Sequence, residues 1–189
     1  MSEAVFGLLG VFIGALLTLI KDAWSDMRMR ARHARYLSVR IACILDRYVN
    51  ECVEVVQDDG GQQDQEGCLH PQISLPAPLI YPDDVDWKSI DCELMYVLLT
   101  LPGEAEAANR SIAFVCSEVA FPPDYEEVFE ERQHQYARLG LAASDLAQRL
   151  RNVYNIPAQN PGGWNPSQYL RKKKDKIDQA RANSASAMS

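Results

Sequence analysis

Residues 4–20 read AVFGLLGVFIGALLTLI, without a charge, and residues 21–57 continue KDAWSDMRMRARHARYLSVRIACILDRYVNECVEVVQ. The first stretch is seventeen residues long, the lower limit for a helix that crosses a bilayer. Its one polar side chain is Thr18. A helix buried in a soluble core seldom lacks a polar face altogether. A cleaved signal peptide would show Lys or Arg before the apolar run and an A-x-A site after it, and neither is present. The stretch therefore predicts a transmembrane anchor over residues 1–20.

Charge sets the expected orientation. Only the α-amino group and Glu3 precede the run, whereas Lys21, Arg28, Arg30, Arg32 and Arg35 follow it. Positive residues stay on the cytoplasmic side. The expectation is a bacterial-type single-pass inner (plasma) membrane protein, N-terminus outside and C-terminal domain cytoplasmic. These five cations and Trp24 are the expected headgroup contacts, Trp24 because its ring is apolar and its N–H polar. Gly7, Gly10, Gly14 and Thr18 fall within about 80° on a helix. Small residues at this spacing let two membrane helices approach closely, so they are the expected packing face of a homo-oligomer.

Beyond the bilayer the helix is expected to continue. Apolar residues recur at Ile20, Trp24, Met27, Ala31, Ala34, Leu37, Ile41, Leu45, Tyr48, Cys52 and Val55. Steps of three and four mark a helix with one buried stripe, and no Gly or Pro interrupts residues 21–57. This is the helical stalk, with Trp24, Met27, Leu37, Ile41 and Leu45 as packing residues.

The rest divides by its breakers. Residues 58–82 are first polar and then Pro-rich, with Pro71, Pro76, Pro78 and Pro82. Such a density favours extended chain laid on a surface, docked through Ile73, Leu75, Leu79, Ile80 and Tyr81. Residues 83–154 form the expected cytosolic bundle. Its helices are 83–101, stopped by Pro102 and Gly103; 104–120; and 124–154, capped by Asp124. Residues 155–182 are a linker and a basic helix, and residues 183–189 a tail too poor in large apolar groups to fold. No alternating strand pattern occurs. The fold class is all-α: an N-terminal transmembrane helix continuing into a long cytosolic helix, packed with an antiparallel bundle of about four helices.

The net charge of −7 is unevenly spread. Residues 58–131 hold seventeen carboxylates against Lys88 and Arg110, while residues 132–189 hold ten cations against three carboxylates. The acidic middle argues against nucleic acid as a partner there, since phosphate contact requires Lys and Arg. The run Arg171, Lys172, Lys173 and Lys174 suits an anionic lipid surface and joins the expected headgroup contacts. Cys43, Cys52, Cys68, Cys92 and Cys116 are odd in number and form no C-x-x-C pair, as expected of reduced thiols.

No constellation carries a catalytic signature. Glu131-x-x-His134, with Glu127 and Glu130, resembles half of a di-iron carboxylate motif. No second Glu-x-x-His occurs, so these residues are expected on a solvated outer face, with no metal and no cofactor. Cys68-x-His70 supplies two of the four ligands zinc takes. Arg28-x4-His33 resembles the Arg/His spacing of HEPN ribonucleases, all-α proteins whose pair acts on the scissile phosphate at a dimer cleft. The resemblance covers this one spacing. The layout of short anchor, small helical domain and Arg/His pair is similar in architecture to membrane accessory proteins of some RNA-targeting CRISPR systems.

The functional expectation is a non-enzymatic, oligomerising, protein-binding module on the cytoplasmic face, its partners the lipid bilayer, further copies and an unidentified protein. The Pro-rich segment and Trp164 are the expected partner contacts. The alternatives are an oligomeric membrane effector (a pore or bilayer disruptor, for example in phage defence) and a HEPN-like ribonuclease.

Overall fold

The computed structural model describes residues 2–61, 63, 65, 68–121, 125–158 and 162–187, with side chains from residue 14 to residue 186 of these. Among them every regular element is helical: α1 (Ser2–Gln57), a 3-10 turn (Trp87–Ser89), α2 (Cys92–Glu118), α3 (Glu126–Tyr154) and α4 (Pro166–Ala187). The all-α expectation is met.

α1 is one unbroken helix of 56 residues. Ala34, Leu37, Ile41, Leu45, Tyr48, Cys52 and Val55 of its stripe are buried. Each large apolar side chain removed from water contributes about 1.5–3 kcal/mol, and this row is the spine of the core. The same stripe is bare further N-terminal: Ile20, Trp24 and Met27 are exposed.

α3 is the central helix. Asp46 of α1 accepts from Arg151 and Asp58 from Arg132, so α3 runs antiparallel to α1. Ser144 meets Ser167, and Arg181 pairs with Glu130, so α4 runs antiparallel to α3. Glu93 pairs with Arg149 and Glu104 with Arg138, so α2 does the same. α1, α2 and α4 thus share one direction. At α3's C-terminus Asn155 takes a left-handed conformation (φ 51), with the N–H of Ile156 donating to the Arg151 carbonyl at 3.1 Å, a common helix stop.

Two expected helices are one. Pro102, read as a terminator, lies inside α2. Proline removes one N–H and crowds one turn, but here the inward row runs in phase through it: Leu94, Leu98, Leu101, Ala105, Ala108 and Ile112 are buried. Packing on both sides of the proline outweighs the local break. The helix expected from residue 83 begins at Cys92. Asp91 caps it by accepting from the Leu94 N–H at 3.0 Å, and Asp86 caps only the 3-10 turn. Asp124, the expected cap of α3, lies outside the described residues.

The Pro-rich segment is extended and returns along α1. Ile73, Leu75 and Tyr81 pack on the core and Leu79 is buried within it, whereas Ile80 is 78% exposed. α4 continues to Ala187, through most of the tail expected to be unfolded. Leu170 and Ile177 are buried and Arg181 is paired, which anchors the Ala/Ser-rich end to α3. Gly140 sets how close these helices come. A Cβ there would lie 2.6 Å from Leu170 Cδ1 and 2.9 Å from Cys52 Cβ.

Candidate membrane interface

α1 leaves the bundle abruptly. Every residue from 14 to 33 is exposed, and Ala34 is the first buried one. Those twenty residues are about 30 Å of bare helix. Its exposed apolar groups include Leu16, Leu17, Leu19 and Ile20 at 51–66%, then Trp24 and Met27. Among the described residues no helix is long and apolar enough to cross a membrane. The expected span starts at Ala4, and the side chains of residues 4–13 lie outside the described residues, Gly7 and Gly10 with them. Gly14 has open space where a Cβ would sit. Thr18 Oγ1 donates to the Gly14 carbonyl at 2.9 Å, so the stretch's one hydroxyl is satisfied within its own helix.

The cations follow in order. Lys21, Arg28, Arg30, Arg32 and Arg35 are all exposed. The Arg28 guanidinium lies 3.7 Å over the Trp24 ring, a cation–π contact. Arg35 donates to the Asn155 carbonyl at 3.4 Å, and Arg40 holds both Asp84 oxygens at 2.9 and 3.1 Å. The C-terminus of α3 and the 82–86 loop are therefore the part of the domain nearest the bare helix.

The other basic run lies at the opposite end. Leu170 packs beside Cys52 at Gly140, twenty-eight residues along α1 from Trp24, or about 42 Å. Arg171 and Lys172 are exposed, Lys173 and Lys174 half-buried, and Lys174 pairs with Asp178 at 2.6 Å. Trp164, near Tyr169 at 5.4 Å between ring centres, is 49% exposed.

Of the acidic turn of α3 expected on a solvated face, Glu127 is exposed, but Glu131 is not and Glu130 and His134 are half-buried. Glu131 is buried and accepts from Ser111 Oγ (2.6 Å), Gln135 Nε2 (2.8 Å) and Arg181 Nη2 (2.9 Å). Burial works against its charge, but these three donors outweigh it and hold the carboxyl below its ordinary pKa. Glu130 accepts from Arg181 Nε at 2.6 Å, and His134 Nε2 meets Asp178 at 3.1 Å. The cluster braces α2, α3 and α4 together. Among the described residues no group of three or more His, Cys, Asp or Glu is placed to hold a metal ion.

A second buried node closes the end of α1. Burial opposes the Asp58 carboxylate too. The N–H groups of Ile73, Gly60 and Gln72, helped by Arg132 at 3.1 Å, overcome this and hold its pKa down. Gly60 sits there with φ 86, and a Cβ on it would come within 2.7 Å of Phe129. Sequence reasoning missed this node. Its available signal was the phase of Arg132, one turn after Val128 and one before Tyr136 on α3's inward face.

Arg28 and His33 do not converge within one chain. Five residues place them about 140° apart around the helix. Arg28 turns back onto Trp24, while His33 lines a groove of about 460 Å³ with Arg32, Tyr36, Asp84 and Asp86. Cys52 is buried, and desolvation drives its thiol far above the usual range; a buried neutral thiol is a poor nucleophile.

The chain matches no protein-family model, no curated protein and no solved structure.

Proposed function

We infer that the chain is a single-pass membrane protein. The N-terminal end of α1 crosses the bilayer with its N-terminus outside, and the helical domain acts on the cytoplasmic face as an oligomerising, protein-binding module. The observation that carries this reading is the bare stretch of α1 over residues 14–33: twenty exposed residues in unbroken helix, oily to Ile20 and carrying cations from Lys21 on. Contiguous apolar surface of this size is rarely left in water. Lipid would cover Leu16–Ile20 and the apolar residues before them. Trp24 with Arg28 stacked on it would sit at headgroup level, and Arg30, Arg32 and Arg35 would face the anionic leaflet. Gly7, Gly10, Gly14 and Thr18 would pack copies together.

A water-filled pore needs polar groups along one face, and Thr18 is the one polar side chain of residues 4–20, which favours the module over the pore alternative. The test is twofold. A reporter fused after Ser189 is expected to be active in the cytoplasm and silent in the periplasm; periplasmic activity refutes the orientation. Liposomes carrying the purified protein are expected to retain a trapped dye, and leakage refutes the module in favour of the effector.

A further inference from the structure

One groove of the domain is polar where the seam of a helical bundle is ordinarily apolar. It lies where α1, α3 and the start of α4 meet, and it encloses about 300 Å³. α3 lines it with Ser144, Gln148 and Arg151, which fall within about 60° of one another on the helix. α1 lines it with Asp46 and Asn50, and α4 begins on it with Asn165 and Ser167.

Two donors at this groove have no acceptor among the described residues. Arg151 exposes 10% of its side chain. Its Nη2 donates to Asp46, whereas its buried Nε donates to nothing. A buried guanidinium N–H left unmet is costly. The second donor is at the N-terminus of α4. The Asn165 side chain accepts from the Gln168 N–H at 3.1 Å, and its carbonyl accepts from the Tyr169 N–H at 3.2 Å. Pro166 has no N–H. The Ser167 N–H is therefore left over, at the positive end of the helix dipole.

We propose that this groove binds a free amino acid with a polar side chain, held as its zwitterion. The carboxylate takes the Arg151 Nε and the Ser167 N–H. Asp46 already balances the guanidinium, which disfavours a doubly charged phosphate. The ligand's ammonium group instead meets Asp46 and the amide oxygen of Gln148, whose Nε2 donates to Asn152 at 2.9 Å. Ligand and site are then each neutral. The ligand's side chain faces Asn50 and the Ser144–Ser167 hydroxyl pair, 2.6 Å apart. The volume stands at the lower end for ligand pockets, which suits a molecule of this size better than a nucleotide.

Calorimetric titration of the full-length protein in detergent with serine, threonine, asparagine and glutamine in turn provides the test. Binding of at least one is expected, and the corresponding amino acid amide, which lacks the carboxylate, should not bind. Arg151→Lys keeps the charge opposite Asp46 but loses Nε. Ser167→Pro removes the N–H at a position in the first turn where proline is tolerated. Each should raise Kd by about tenfold or more, whereas Ser167→Ala, which keeps the N–H, should hold it within a few-fold. If Arg151→Lys fails to fold, the two Ser167 variants carry the comparison. No heat from any of the four leaves both donors to water only and overturns the proposal. Binding that persists in Ser167→Pro, or an amide that binds as well as its amino acid, overturns it too.

Discussion

At the scale of single residues, the domain depends on buried charges that are paired with one another. Asp58 and Arg132 expose 2% and 7% of their side chains. Removing one member strands the other in the core, at about 3–5 kcal/mol. Asp58→Ala should therefore lower the denaturant midpoint sharply. Glu93→Ala, which breaks the exposed pair with Arg149, should cost under about 1 kcal/mol. The same groups fix the acid limb. Asp58 and Glu131 titrate below their ordinary 3.8 and 4.5 when folded. The unfolded chain then takes up protons first, so their stabilisation is present above those ordinary values and is lost as pH falls through the depressed folded ones. Melting temperature should drop steeply below about pH 4.5, and Asp58→Asn should make that drop shallower. Little of this was legible, because an isolated carboxylate reads as a surface group. Only its phase against neighbouring apolar positions hints otherwise, as with Arg132 between Val128 and Tyr136.

At the scale of elements, period outweighed punctuation. The inward row of α1 was legible because its steps of three and four run uninterrupted from Ala34 to Val55. α2 was misread at Pro102, although Leu98, Leu101, Ala105 and Ala108 keep the same face on either side. α4 was read short, since the small side chains of its last turns show nothing of the Arg181 contacts to Glu130 and Glu131 that hold it down. Two glycines should respond oppositely to the same change. Gly140→Ala drives a methyl into Cys52 and Leu170 and should destabilise by about 1–3 kcal/mol. Gly103→Ala has open space within a single copy of the chain and should stabilise the monomeric protein by about 0.5–1 kcal/mol. Chemical denaturation of both variants in detergent reads the sign directly.

At the scale of the whole molecule, the two basic runs have different surroundings. Residues 21–35 adjoin the apolar stretch of α1, whereas Arg171 and Lys172 follow Leu170, which packs about 42 Å beyond Trp24 along the same axis. Composition puts them in one class; only the packing of Leu170 against Cys52 and Gly140 separates them. Neutralising Arg171, Lys172 and Lys176 to Gln should leave membrane retention unchanged. Replacing Arg28, Arg30, Arg32 and Arg35 with Gln should scramble orientation, read by the C-terminal reporter. Among the described residues nothing covers Ile20, Trp24 and Met27, and the sequence of residues 4–20 reads as a membrane span. The central claim is that lipid covers them. Extraction of cell membranes with alkaline carbonate tests it most directly: the account predicts intact protein in the pellet, and intact protein in the supernatant would contradict it.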